Sequence, residues 1–487
     1  MLYKKNGYII SAIFFVTASI FSKGFHHFDE HFQILEFAGA KLGLCSFDSL
    51  AWEYQSRIRP TIQPFIVFYV YKFCILFGIK NPFFLATLLR FLSSILAFTS
   101  ITLLYRAGVQ SLKIAKLQNK FFIVSFFCWY LVYIGVRFSS ENWAGAIFAI
   151  SFSLYFLMKK ESSLNNYIIG ILLGFSFLFR YQIGFMILGF LLWLAFIKRT
   201  GIKKMRAILL GILTILVLGI LIDYWFYSEW VITTWNYLWQ YLEHDVIQGK
   251  TSIFGHEPWW WYFYKFIVQG VPPISLIFLF SFLFLLVYDS KSPIIWSVLP
   301  FLLVHILIGH KELRFLFPAV YFLPLMFISS VECLNIRHQI KFDKKSILNK
   351  VFLLAFSINI ILLIIVSLKP AENNISLYKS IYSNYKENTT LYYMKDNPYH
   401  RVLNVNFYKR ENLIYKKINS LNEININSDV NSLLALKSSE QPNNNKLQFS
   451  YVYSTFPNWI SAFNFNNWLE RTNNWRVYEV SQKKNIN

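Results

Sequence analysis

Apolar stretches of about 20 residues, separated by short polar links, recur through the first three quarters of the chain. A helix of that length matches the apolar thickness of a bilayer at 1.5 Å per residue. Candidate spans fall near 8–24, 83–106, 121–138, 142–158, 166–180, 182–197, 207–227, 264–288, 293–309, 315–331 and 351–368, about eleven in all. The pattern predicts an all-α polytopic membrane fold over residues 1–370. Segment 61–79 is apolar too, but Pro60, Pro64 and Lys72 make it a poor span. It reads as an amphipathic helix lying at the outer surface. The stretch before it places Phe32, Leu35, Phe37 and Leu42 at helical spacing, so the first outer loop is expected to hold two in-plane helices. After residue 370 Asn, Ser, Lys and Tyr dominate and no run is long enough to span. Alternating pieces at 401–408 and 448–456 suggest strands. Residues 371–487 are therefore expected to form a small α/β domain outside the cytoplasm.

Composition agrees with the pattern. The chain is 55% hydrophobic and only 15% charged, which excludes an ordinary soluble domain. The net charge of +22 would point to nucleic acid in a soluble protein. Here the basic residues sit in links at Lys4/Lys5, 106–120, Lys159/Lys160, 198–206 and 337–350. With the spans above, all of these links fall on one side, which the positive-inside rule makes cytoplasmic. That assignment holds only if 61–79 does not cross. Nucleic acid is set aside as a partner. Cys45, Cys74, Cys128 and Cys333 form no CxxC pair, so neither a disulfide framework nor a metal site is implied. The first apolar run has no small-x-small cleavage site after it and is read as a retained helix. No internal repeat is evident, which disfavours inverted-repeat transporters.

The polar clusters that could carry chemistry share the opposite, outer face. In "HHFDEHFQ" (26–33) Asp29 and Glu30 stand just past the first span. They fit two roles, an acidic helix cap or a general base at headgroup depth. In "GHKELRFLFP" (309–318) His310, Lys311, Glu312 and Arg314 form either a solvated turn or a cationic site for a lipid phosphate. In "FGHEPWWWYF" (254–263) His256 and Glu257 precede Trp259 and Trp261; the rings suit an interfacial belt or a sugar site. Arg137, Glu141 and Arg180 lie at outer span ends, and Glu53, Arg57 and Arg59 lie in the first outer loop. These are ion-pair locks or functional groups. Nucleotide-binding and metalloprotease motifs such as GxGxxG, Walker A and HExxH are absent, as is GxSxG. Any donor for group transfer is then expected to be lipid-borne.

At these residues the chain resembles the polyprenyl-phosphate-mannose-dependent α-mannosyltransferases of the GT-C membrane fold, which include enzymes of GPI-anchor and lipid-linked oligosaccharide assembly. The motif H-x-D-E-x-F-Q matches His27, Asp29, Glu30, Phe32 and Gln33. H-K-E-x-R-F-x-x-P matches His310, Lys311, Glu312, Arg314, Phe315 and Pro318. G-x-x-P-W-x-W-Y-F matches Gly255, Pro258, Trp259, Trp261, Tyr262 and Phe263. The matches run in family order over about residues 20–330, although Phe28 stands where the family usually has proline. Within the family the outer tail resembles that of the GPI third-mannose enzymes.

The resemblance implies an inverting transfer of mannose from a polyprenyl-phosphate donor to a glycan or glycolipid hydroxyl. It implies Asp29 as base with Glu30 beside it, and His310, Lys311, Arg314 and Arg180 on the donor phosphate. His27, Gln33, Glu53, Arg57, Glu141, His256, Glu257, Trp259 and Trp261 are expected to line the sugar and acceptor site. No metal and no cofactor beyond the lipid-linked donor is expected. Abundant Lys, Asn, Ile and Phe suggest a bacterial inner membrane, with an endoplasmic reticulum membrane as the alternative. Transfer of another lipid-linked sugar and lipid or sugar transport are the competing readings. Asn374 and Asn388 head N-x-S/T sequons in the tail.

Overall fold

The computed structural model describes residues 2–159, 162–243, 255–339, 346–427, 429–437, 440–469, 471–472 and 474–483. Lys160 and part of the basic link 337–350 lie outside the described residues. The helices run α1 (Leu2–Phe21), α2 (Phe28–Glu30), α3 (Glu36–Lys41), α4 (Trp52–Gln55), α5 (Ile62–Leu76), α6 (Pro82–Ser111) and α7 (Leu117–Phe127). They continue as α8 (Trp129–Gly135), α9 (Ser140–Leu157), α10 (Ser163–Phe179), α11 (Gly184–Leu192), α12 (Ile202–Tyr227), α13 (Thr233–Tyr241) and α14 (Trp261–Gln269). Then come α15 (Ile274–Tyr288), α16 (Pro293–Leu307), α17 (Phe317–Val320), α18 (Leu323–His338), α19 (Ile347–Leu368) and α20 (Asn374–Asn384). The strands are β1 (Thr389–Tyr393), β2 (Leu413–Lys417), β3 (Asn431–Lys437), β4 (Leu447–Ser454) and β5 (Trp475–Gln482).

Each candidate span falls on one helix or on a broken pair. Among the described residues α6, 117–135, α12 and α19 are long and apolar enough to cross a membrane. Two bent pairs, α15 with α16 (113°) and 313–320 with α18 (60°), raise that number to six. The remaining expected spans are shorter pieces. α10, for instance, has 17 residues, about 26 Å of helix against the ~30 Å of a bilayer core. Segment 61–79 does contain a helix, α5. Its exposed positions are Tyr69, Lys72, Phe73 and Leu76, so one cation stands among apolar side chains on that face.

The chain divides into two compact units, one of residues 1–22, 53–66 and 88–369, the other of 23–52, 67–87 and 370–487. The expected boundary at 370 is thus one edge of the second unit, which also takes in two earlier stretches. In the first unit the helices meet through small residues. A Cβ on Gly170 of α10 would lie 2.0 Å from the Ile208 carbonyl oxygen, and one on Gly211 of α12 would lie 2.3 Å from that of Tyr167. The two backbones therefore touch, as membrane helices do when glycine sits at the crossing. The span expected over 121–138 is interrupted at Cys128, whose ψ is 120°. Asn359 of α19 fills the gap: its Oδ1 accepts from the Trp129 N–H at 3.0 Å and its Nδ2 donates to the Phe127 carbonyl at 2.6 Å. A break inside an apolar layer is tolerated when a neighbouring side chain takes up the freed backbone groups. The C-terminal carbonyls of α1 are met by two buried arginines. Arg90 donates to Ser19 at 2.8 Å and Arg137 to Ser22 at 2.9 Å, the charge sign that a helix C-terminus favours.

In the second unit the tail forms α20 and a five-stranded sheet ordered β2-β1-β3-β5-β4. β1 pairs in parallel with β2 and β3, while β5 is antiparallel to β3 and β4. Leu391, Leu433, Leu434 and Val477 are fully buried in it. The strand expected at 448–456 is β4. The one expected at 401–408 is an irregular loop. Its alternating Val405 and Phe407 are buried, yet the N–H groups of Asn406 and Phe407 donate to the Glu36 carboxylate at 2.7 and 2.9 Å instead of to a strand.

Replacing Gly211 with Leu should lower the melting temperature of the purified protein by several degrees, since overpacking at a helix contact costs on the order of 3 kcal/mol. Gly201 has nothing within 4 Å of its Cβ direction, so Gly201→Ala should leave the melting curve in place. Equal melting of both variants would refute the close crossing.

Candidate functional site

The first unit gathers several of the expected residues into one run of ion pairs. Glu141 opens α9, where the Ser139 hydroxyl caps the helix by accepting from the Asn142 N–H. Its carboxylate is buried and takes two guanidinium groups, Arg314 at 2.9 Å and Arg180 at 3.4 Å. Arg314 reaches on to Glu312 through Nε, and Glu312 accepts from His310 Nε2 at 3.1 Å. The Phe315 ring lies 5.1 Å from the Arg314 guanidinium and 5.2 Å from that of Arg180, which holds both cations by their faces. The approach depends on Gly145. One turn along α9, an added Cβ there would lie 2.6 Å from the Pro318 Cα.

Lys311 stands beside this run. It is 5% exposed, donates to the Ile308 carbonyl and lies 6.0 Å from the Tyr262 ring centre. Burial holds its ammonium below the usual lysine range, an effect that Glu257 opposes. The Glu257 N–H donates to the Gly309 carbonyl at 3.0 Å, which ties 255–258 to the 309–318 link. His256 packs on the bare face of Gly309, where a Cβ would come within 2.6 Å of its ring. Trp259 is exposed and Trp261 half-buried, with Lys265 5.4 Å from the Trp261 ring. Three cations thus stand among three carboxylates: Arg180 and Arg314 on Glu141 and Glu312, and Lys311 near Glu257. Guanidinium and ammonium donors gathered in a largely water-excluded setting suit an anion such as a phosphate.

Other expected residues are engaged structurally. Glu53 pairs with Arg59 at 3.4 Å. Arg57 takes a left-handed backbone, bonds Glu229 and lies 4.6 Å from the Tyr54 ring and 5.2 Å from the Tyr227 ring. Glu141, expected on the sugar or in an ion-pair lock with its neighbours, is bonded to its two arginines. Asp223 was missed. It is buried at the end of α12 and accepts from the Thr61 N–H (2.9 Å), the Thr61 hydroxyl (2.7 Å) and the Thr233 hydroxyl (2.6 Å). It thereby fixes the entry of α5 and the start of α13. An aspartate inside "LGILIDYWFY" was the available signal, because an ionisable group in an apolar run asks for a partner.

The second unit carries "HHFDEHFQ". His27 is the N-cap of α2, and its Nδ1 accepts from the Asp29 N–H at 3.2 Å. The cap is therefore histidine, which removes the need to read Asp29 as one. Asp29 and Glu30 lie half-buried in the first turn, followed by a π-helical turn at His31–Leu35 that contains the buried Gln33. Such turns are common at functional sites. His31, which sequence reasoning passed over, is fully buried and donates from Nε2 to Glu36 at 2.8 Å. Its ring lies 5.1 Å from Phe25 and 5.4 Å from Tyr408, and Tyr408 stacks on Phe83 at 4.9 Å. This column of rings joins all three sequence stretches of the unit.

Residues 7–410 match the profile of the Alg9-like mannosyltransferase family. GPI alpha-1,2-mannosyltransferase 3 of Xenopus laevis is 27% identical over 309 residues, covering 60% of this chain and 53% of the relative. The human protein of that name is 25% identical over 304 residues, covering 60% and 51%. GPI mannosyltransferase 3 of Candida albicans is 26% identical over 312 residues, covering 63% and 60%. The chain thus spans little more than half the length of these relatives. Among solved structures, ArnT from Cupriavidus metallidurans bound to undecaprenyl phosphate superposes with a TM-score of 0.56 at 9% identity, over 97% of each chain. That likeness is one of fold, of the GT-C type.

Glu141→Ala should destabilise the protein by ~3–5 kcal/mol, because it leaves the buried Arg180 guanidinium without its carboxylate and takes from Arg314 one of its two. Adding Arg180→Met to that variant should recover part of the loss in a thermal melt. A Glu141→Ala variant that melts like wild type would show the ion pairs to be dispensable.

Proposed function

The chain belongs to the Alg9-like mannosyltransferase family, and from that membership we propose that it moves mannose from a polyprenyl-phosphate donor to a hydroxyl of a glycan or glycolipid, with inversion. The observation that carries the reading is the cationic run in a GT-C-type fold: Arg314 and Arg180 on Glu141, with Lys311 in the same link as Arg314. ArnT, of the same fold, has been solved with undecaprenyl phosphate, which supports a lipid phosphate as the donor's carrier.

The chemistry asks for two things. A base must take the proton of the acceptor hydroxyl as its oxygen attacks the anomeric carbon. Asp29 fits that role, with Glu30 next to it; neither is needed as the helix cap. The bond from the anomeric carbon to the phosphate oxygen then breaks, and its electron pair leaves with the polyprenyl phosphate. Attack opposite a β-linked phosphate yields an α-mannoside. The leaving phosphate gains charge, and Lys311, Arg314 and Arg180 offset it, with His310 donating beside them. Pre-placed cations in a water-poor setting stabilise such charge at little reorganisation cost. Trp259 and Trp261 offer ring faces to a sugar or lipid, and His256 and Glu257 border the same link. His27 and Gln33 flank the base.

The proposed active face is extracytoplasmic, from the placement of the basic links. The relatives named above come from frog, human and yeast, so they lend no support to a bacterial inner membrane. A lumenal face in the endoplasmic reticulum fits the same reading.

In a transfer assay with purified protein, polyprenyl-phosphate mannose and a panel of mannoside acceptors, Asp29→Asn should lower kcat by ~10²–10⁴-fold at unchanged yield, the range for losing a general base. Full activity in that variant would move the base to Glu30. The lowered pKa of Lys311 sets a second expectation. If its charge binds phosphate, transfer should fall as pH rises through that depressed pKa, earlier than for an ordinary lysine. Lys311→Arg keeps its charge and should push the alkaline limb to higher pH; an unmoved limb would remove Lys311 from the phosphate.

A further inference from the structure

In the tail sheet β2, β1 and β3 run parallel, so their C-terminal ends share one edge. In sheets of this kind ligands bind outside the carboxyl ends of the strands, where the departing loops leave a hollow. A cleft of about 480 Å³ lies there, within the range of small-molecule sites. Tyr393 ends β1, Lys417 ends β2 and Lys437 ends β3, and all three line it, as does Trp475 at the start of β5. Asn374, the first residue of α20, is also in the lining. The first N–H of that helix, on Asn374, is already taken by the Glu372 carboxylate at 3.3 Å, so the positive charge of the cleft comes from its side chains.

The lining groups define the ligand. Lys395, Arg401, Lys417 and Lys437 supply cations. Glu440 pairs with Lys395 at 2.7 Å, Glu372 with Arg401 at 3.1 Å and Asp396 with Lys437 at 3.3 Å. Lys417 has no carboxylate within ion-pair distance among the described residues, so positive charge is left over. Asn374 is 1% exposed and Trp475 3% exposed. Among the described residues Asn374 Oδ1 and Trp475 Nε1 have no hydrogen-bond partner. Buried polar atoms without partners are rare in native folds and ask for an explanation. One of this pair accepts and the other donates. A fully ionised anion such as sulfate would satisfy only the donor, and a neutral sugar would leave the charge unmatched.

We propose that this cleft binds a phosphorylated saccharide, with the phosphate at Lys417 and Trp475 and a hydroxyl on Asn374 Oδ1. A free sugar phosphate and a phosphorylated polyol headgroup of a lipid offer the same chemistry. β2 to β5 lie beyond the family match at 7–410, and the site stands independently of the mannosyl-transfer reading.

The test is direct binding to the full chain in detergent, by titration calorimetry with mannose 6-phosphate, mannose and inorganic phosphate. Mannose 6-phosphate should bind at least tenfold more tightly than either of the others. K417E/K437E should weaken it at least tenfold, and Lys417→Ala, at an exposed position, should weaken it severalfold with an unchanged melting curve. Competition by phosphatidylinositol in phosphatidylcholine vesicles would support the cleft and assign the ligand to a lipid, whereas competition by the soluble sugar phosphate alone would support it and assign a free saccharide. Equal affinity for mannose and mannose 6-phosphate, or wild-type affinity in Lys417→Ala, would overturn the proposal.

Discussion

A carboxylate closed off from water must bring its own counter-charges, and Glu141 brings two. The start of α9, the end of α10 and the link before α17 are held at one point because each contributes a charge to that group. The neighbours serve the same end. Asn142 donates to the carbonyls of Gly135 and Arg137 at 3.1 and 2.7 Å and accepts from the Tyr321 hydroxyl at 2.5 Å, which fixes the turn that delivers Glu141. Gly145 removes the one side chain that would hold α9 off Pro318. Ion pairs this deep add little net stability, since desolvation offsets the attraction. Their value is geometric: they fix where the guanidinium donors stand.

The second unit repeats the device with a single oxygen. Glu36 Oε1 accepts from His31, Asn406 and Phe407. The loop at 405–408 is thereby bound to the helix that follows the acidic pair, and the rings of Phe25, His31, Tyr408 and Phe83 close over the contact. The acidic helix and the tail are parts of one core, although some 370 residues separate Glu36 from Asn406.

What could be read from sequence followed its range of interaction. Apolar periodicity is local, so helix positions were legible. The motifs around Asp29 and around Lys311 were legible too, because they are short. The pairing of Glu141 with Arg314 was not, and Glu141 was expected on the sugar; the two residues are 173 apart, and nothing local marks one as the partner of the other. The alternation at 401–408 looked like a strand, since a loop that buries every other side chain follows the same rule of two. Its hydrogen bonds go to Glu36, which no pattern within the segment reveals. Asp223 was visible as a charge in an apolar run, but its partners Thr61 and Thr233 lie outside that run.

The interruption at Cys128 has a consequence in time. The groups on either side of it, the Phe127 carbonyl and the Trp129 N–H, are met by Asn359, which follows Trp129 by 230 residues. At ordinary rates of synthesis that interval lasts on the order of tens of seconds. Throughout it the nascent helix carries two exposed backbone dipoles that α19 has yet to cover, and they can be met only by water, lipid headgroups or the insertion machinery. The last apolar helix is thus the closing member of the bundle, and a chain stopped before it would lack the clasp at its broken helix however completely the earlier helices had packed.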